Sequence, residues 1–365
     1  MKLAQRWLPQ YVRGRLKGRL TTRPLHVLFC LVDHFEPEWG GADLATQLAR
    51  VERWATEYPS LARRHRDADG MPPRPTFFYP AEAYHPDVVE TLAQLCRDGF
   101  GEVAIHLHHD GDTSEALARK LEQAKVHLSR HGLLARERAT GRVRFGFIHG
   151  DWALDNSGPD GRYCGVNDEL QVLSRTGCYA DFTFPSAPSP TQPRKINSIY
   201  YATDDPHRPK SHDTGEDVVV GGQANGSLLM IQGPLTLNWA RRKYAILPRI
   251  ENGSLSQDNP PSPQRVDLWV RERIGVRGKP DWIIVKVYTH GAKSSNAAVL
   301  LGPAMDETLT YLETAYNDGA AFRLHYVTAR ELYNLIKAAE RNEPGSPGQY
   351  RDYELLRACG ELRGA

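Results

Sequence analysis

Long hydrophobic runs are missing from this 365-residue chain. The longest, such as 27–32 (VLFCLV), fall far short of the roughly 20 residues that a membrane helix needs. No transmembrane helix is therefore expected. Cysteine is scarce: Cys30, Cys96, Cys164, Cys178 and Cys359 are odd in number, widely spaced and without a CxxC. That pattern argues against a disulfide framework and against a structural zinc site. No GxSxG occurs, so a serine-hydrolase elbow has no basis. The glycine-rich run 221–226 opens no helix, which argues against a phosphate loop.

Acidic residues are absent from 1–24, where Lys2, Arg6, Arg13, Arg15, Lys17, Arg19 and Arg23 stand. The remainder holds 39 basic against 44 acidic side chains, so a mildly acidic body follows a basic arm. Nucleic acid is not an expected partner, because the body is net negative. The arm is read as a solvated leader that offers a surface for peripheral membrane contact. It lacks the apolar core of about 7–15 residues of a signal peptide, so a cytoplasmic location is expected. A composition of 40% hydrophobic and 25% charged residues is that of a globular protein.

Short β-branched and aromatic runs at 25–32, 75–79, 102–107, 143–148, 180–184, 282–288 and 321–327 alternate with helical patterns. The helical segments lie near 43–66, 86–98, 113–132, 165–176, 264–275, 304–318 and 328–340, and Thr113-Ser114-Glu115 reads as a helix start. Strand–helix alternation predicts an α/β fold with a mainly parallel sheet, closed as a barrel or open, and seven such units favour a distorted (β/α)7 barrel over 25–341. The stretch at about 186–262 is rich in Pro, Gly, Asn and Ser and is read as a β-rich hairpin insertion. Residues 342–365 form a peripheral tail.

Chemistry-bearing residues gather at the ends of three of these strands. They are Asp33-His34-Phe35-Glu36, His106-Leu107-His108-His109-Asp110, and His290, which together hold five of the 14 histidines. In a parallel α/β fold the carboxyl ends of strands converge, so the three clusters can meet. Strand alternation places Ala104, His106 and His108 on one face and Val103, Ile105 and Leu107 on the other. Two inward imidazoles with a carboxylate suit a divalent ion such as zinc, and a site with an open position for water serves a hydrolase. HxH pairs also arise as hydrogen-bonded core histidines. In Asp33-His34 one residue would bind metal while the other handles a proton; otherwise Asp33 caps the loop. His290 reads either as a general acid or as a loop histidine. Trp39, Tyr79, Tyr84 and Trp152 lie near strand ends, to stack on sugar rings or to fill the core. His207 and His212 are expected in solvent within the insertion.

In this order the motifs resemble those of the metal-dependent polysaccharide deacetylases, distorted seven-stranded barrels that remove N- or O-acetyl groups from sugars. Asp33-His34 falls where that family has an Asp-Asp pair, and Thr76-Phe77-Phe78 matches its second strand. Glu102-Val103-Ala104-Ile105 leads into His106-Leu107-His108-His109-Asp110 as its Glu-Ile-Gly leads into His-x-x-x-His, and Val287-Tyr288-Thr289-His290 is similar to its last motif. The resemblance implies metal ligands His34, His106 and Asp110, with His34 and Asp110 exchanging the family's Asp and His; strand parity favours His108 as the alternative third ligand. It further implies Asp33 as base and His290 as acid. The family's Arg-Pro-Pro-Tyr motif is replaced by His149-Gly150-Asp151-Trp152, which would bind or orient substrate, and Asp181 is the counterpart of the Asp that orients the catalytic His. The implied function is a metal-dependent hydrolase acting on an acetylated amino sugar or polysaccharide precursor, with Zn2+ or alternatively Co2+, Ni2+ or Mn2+. A glycoside hydrolase using Asp33 with Asp151 or Asp181, and a non-catalytic carbohydrate-binding barrel, are the competing readings.

Overall fold

The computed structural model describes residues 4–14 and 23–358. Lys2, Arg15, Lys17 and Arg19 of the basic arm, and Cys359, lie outside the described residues. The first strand, β1 (Leu25–His34), is buried along its whole length, as expected for a central strand covered on both faces. It is followed by α2 (Leu44–Ala62), β2 (Thr76–Pro80), α3 (Pro86–Arg97), β3 (Glu102–Leu107) and α4 (Ser114–Arg130), with a short helix α1 (Leu8–Gly14) ahead of it. Then come β4 (Ala135–Glu137), β5 (Val143–His149), α5 (Glu169–Thr176) and β6 (Cys178–Asp181). The expected insertion supplies β7 (Ile199–Ala202), β8 (Gly215–Asp217), β9 (Leu228–Ile231) and a hairpin of β10 (Thr236–Lys243) and β11 (Leu247–Glu251). The chain closes with β12 (Ser254–Leu255), α6 (Pro263–Arg271), β13 (Trp282–Thr289), α7 (Ser294–Leu300), α8 (Pro303–Tyr316), β14 (Phe322–Tyr326), α9 (Ala329–Glu340) and β15 (Leu355–Leu356).

The protein is mixed α/β with a mainly parallel central sheet. Its strand order is β12-β13-β1-β2-β3-β5-β6-β9-β7-β8, with β14 also parallel to β1. The expected α/β fold on a mainly parallel sheet is present, and among the described residues no strand pair between β12 and β8 completes the expected barrel. The reason lies in the insertion. Its strand β9 pairs with β6 where another β/α unit would stand, and β7 and β8 continue from it antiparallel. Isolated bridges, Val219–Arg277 and Ile274–Ile284, link the β8 end back toward β13.

Alternation sorts the apolar residues into two layers. Leu28, Cys30, Val32, Phe78, Ala104, Ile148 and Ile284 face an inner cluster that α9 closes with Leu332, Leu335 and Ile336. Val27, Phe29, Leu31, Val103, Ile105 and Leu107 pack outward on α2, α3 and α4. Helix starts follow capping chemistry: the Thr113 side chain accepts from the Ala116 N–H, and Thr328 with Glu331 forms a capping box on α9. Ahead of β1, Trp7 and Tyr11 of the basic arm are buried against Ala187, Ile196 and Leu235, so this part of the arm is docked on the body. His212 also departs from expectation: it is fully buried beside Asp155 and stacked on Phe184.

Candidate metal centre

Because β1, β3, β5 and β13 run parallel, their carboxyl ends meet on one side of the sheet. There the inner face of β1 presents His34, whose ring lies 5.0 Å from that of His106 and 4.5 Å from that of His290. Two residues on, in step with His34, stands Glu36. Its Oε2 accepts from His290 Nδ1 at 2.6 Å, and its Oε1 lies 3.4 Å from His108 Nε2 and 3.7 Å from His106 Nε2. Glu36, His106 and His108 can bring one ligand atom each within 4.8 Å of one another.

The tautomers are set by fixed partners. His106 Nδ1 donates to the Ile148 carbonyl at 2.8 Å, so Nε2 carries the lone pair; that atom is buried, takes no hydrogen bond and faces a carboxylate. A lone pair against a carboxylate oxygen suits an intervening cation, so the residues present fit a divalent ion. His108 Nδ1 donates to Glu82 Oε1 at 2.6 Å. Burial disfavours charge on His108, but Glu36 and Glu82 outweigh it and push the imidazole up to about 10. Burial, then His290 and His106, hold His34 well below its ordinary value. Burial opposes charge on Glu36 as well, yet the imidazoles of His108 and His290, whose ring nitrogens lie within hydrogen-bond reach of it, keep its carboxyl far below the usual range. Beside it, burial pushes Glu38 up to about 7.

Aromatic rings wall the site. Trp152 lies 6.2 Å from His34 and 6.1 Å from His290, and the exposed Trp39 lies 5.5 Å from His290 with Lys293 over its face. Tyr79 is core and Tyr84 stacks on His127.

No protein-family model matches this chain, and no curated protein matches it. The site therefore stands on its own geometry.

That geometry brings together His34, His106, His108, His290 and Trp152. Asp33 is elsewhere: it occupies the helix-facing side of β1, where Oδ1 accepts from the Gly291 N–H at 2.6 Å. The same alternation that turns His34 inward turns Asp33 outward. Asp110 is exposed and caps the neighbouring loop by accepting from the Tyr163 N–H at 2.6 Å. Asp151 is exposed at a positive φ of 52°. Asp181 accepts twice from Thr183 and orients no histidine; Glu36 has that place. His149 turns from this centre toward His109 and Glu169. Sequence reasoning placed Glu36 in the first cluster without giving it a role, and it missed Glu82. Glu36 had a signal, since it shares strand parity with His34; Glu82, brought in by the turn after β2, had none.

Proposed function

We propose that this protein is a metal-dependent hydrolase that removes acetyl groups from an amino sugar or polysaccharide precursor, on a sheet read as a distorted deacetylase-type barrel. The observation that carries the reading is the convergence of Glu36, His106 and His108 at the strand ends, with His34 and His290 beside them. Glu36, His106 and His108 would hold the ion, with His34 against it. When bound, a divalent ion supplies an activated water and polarises the acyl carbonyl.

The chain's own residues divide the remaining work. Glu36 fixes the His290 ring through Nδ1–H, which leaves the Nε2 lone pair to take a proton from the attacking water and then deliver it to the departing amine or alkoxide. Trp39 and Trp152 offer faces on which a sugar ring stacks. Asp33 takes a positioning role: its bond to the Gly291 N–H holds the turn that carries His290. The test is acetate release from acetylated amino sugars before and after chelation, with metal content measured in the wild type and in His106→Ala. Metal-dependent release that His106→Ala abolishes is the expected result; a metal-free, inactive wild type after reconstitution overturns the reading.

One observation favours the glycoside-hydrolase alternative. Glu38, whose carboxyl burial pushes up to about 7, stands two residues from Glu36, so a carboxyl that holds its proton near neutral pH neighbours one that does not, as an acid and its partner require. Glycosidase turnover that survives chelation would select it.

A further inference from the structure

Next to the open centre, through the adjacent His108 and His109, lies a second cluster that the proposed hydrolase chemistry does not use. His109 follows β3, His149 ends β5, Cys164 sits in the connecting loop and Glu169 begins α5. All four are buried, and each offers a ligand atom within 4.8 Å of the others. His109 Nε2 and His149 Nε2 lie 3.1 and 3.4 Å from Glu169 Oε1, and Cys164 Sγ lies 3.3 Å from Glu169 Oε2.

A hydrogen-bonded network accounts for part of this arrangement. The Cys164 thiol and His109 can each donate to Glu169. His149 does not fit. Its Nδ1 donates to the Gly150 carbonyl at 2.6 Å, so its Nε2 carries a lone pair, and that wholly buried atom takes no hydrogen bond while facing the Glu169 carboxylate. A cation at this point satisfies both lone pairs. The Cys164 sulfur accepts from the backbone N–H groups of Asn156 at 3.3 Å and Val166 at 3.4 Å; burial and Glu169 otherwise hold it as a thiol, and a bound cation is what would convert it to the thiolate. Outer partners complete the set. His109 Nδ1 faces Asp112 Oδ2 at 3.2 Å, and the Asp155 N–H donates to Glu169 Oε2 at 2.6 Å.

We propose that His109, His149, Cys164 and Glu169 form a second metal site, closed and structural, for a tetrahedral borderline ion of the zinc type. Two imidazoles, one thiolate and one carboxylate fill four positions and leave none for water, unlike the open Glu36 centre. The site explains how the irregular loop between β5 and α5 is held. Asp151, Trp152, Asp155, Asn156, Asp160 and Tyr163 all have positive φ there, a costly conformation that persists only when fixed from outside. It also acts on the open centre. His108 and His109 are neighbours that point to different sites, and His108 rests so closely on Gly150 that a Cβ there would lie 2.3 Å from its ring.

The sulfur ligand separates this site from the nitrogen- and oxygen-lined centre beside it. Protein produced in cobalt-supplemented medium should show a near-ultraviolet thiolate-to-cobalt charge-transfer band. The band should persist in His106→Ala, disappear in Cys164→Ser, and be matched at the zinc absorption edge of zinc-grown protein by a sulfur neighbour at about 2.3 Å, about half a sulfur per zinc with both centres filled and about one in His106→Ala. If Cys164→Ser does not fold, the wild-type and His106→Ala spectra decide. A wild type without that band or sulfur neighbour overturns the proposal, as does a band retained in soluble Cys164→Ser. Absence of acetate release leaves these readouts untouched, so failure here and failure of the hydrolase reading are distinguishable.

Discussion

Glu36 Oε2 accepts a 2.6 Å hydrogen bond from His290 Nδ1, joining the loop after β1 to the end of β13 across 254 positions of sequence. One carboxylate thus faces the candidate metal ligands with one oxygen and aims the candidate acid with the other. Glu36→Gln should fold normally yet lose metal from the open centre, and turnover should fall by about 10²–10⁴-fold, as His290→Gln should. Metal analysis and kcat on the same preparations check this; Glu36→Gln with full metal and full turnover refutes it.

Asp33 is expected to behave differently. Burial pushes its carboxyl up to about 8 against the hydrogen bond from Gly291, so it is mostly protonated at neutral pH and Asn reproduces its shape and charge. Turnover of Asp33→Asn should stay within about tenfold of wild type, or 1.4 kcal/mol in barrier. A collapse of kcat in a folded Asp33→Asn protein would return Asp33 to the chemistry.

Gly291 is the steric counterpart. A Cβ there would lie 2.1 Å from Asp33 Oδ2 and 2.7 Å from Trp54 Cζ2, both held in the core. Gly291→Ala should destabilise by about 1–3 kcal/mol, the cost of overpacking, and displace His290. Urea unfolding measures the first effect and kcat the second.

The hairpin β10–β11 hangs on a buried pair. Arg265 donates to both oxygens of Glu251 at 2.8 Å, and Trp269 Nε1 adds a third bond at 2.9 Å. Arg265→Met should cost about 3–5 kcal/mol because Glu251 is left charged and buried. Limited proteolysis between Thr236 and Glu251 should quicken in the variant; unchanged cleavage and stability would count against the anchoring role.

Acid should weaken the fold through His26. Its Nδ1 lies 2.8 Å from His325 Nε2, and burial, then His325 and Arg323, push it from 6.5 down to about 4. Between those values the unfolded chain binds the proton and the folded chain does not. Its stabilising contribution is therefore whole above pH 6.5 and lost as the pH falls toward 4. Denaturation midpoints across this range should fall less steeply in His26→Gln than in wild type; equal slopes would exclude His26 as a source.

Local pattern determined much of this protein. Alternation in 102–107 placed Ala104 and His106 inward and Val103, Ile105 and Leu107 outward, as the two core layers have them. The strand–helix rhythm marked the parallel sheet, and helix starts such as Thr113 follow from capping chemistry that acts within one turn. Only the tertiary structure decided the rest, because it depends on which distant segments meet. The insertion strand β9 took the edge of β6, and that choice left the strand order open. Parity alone turned Asp33 away from His34, but only the return of His290 across the sheet selected Glu36 as its partner over Asp181. His109, His149, Cys164 and Glu169 are separated in sequence by an irregular loop with no periodicity to read, and nothing in their spacing announced a common site. Folding alone gathers them.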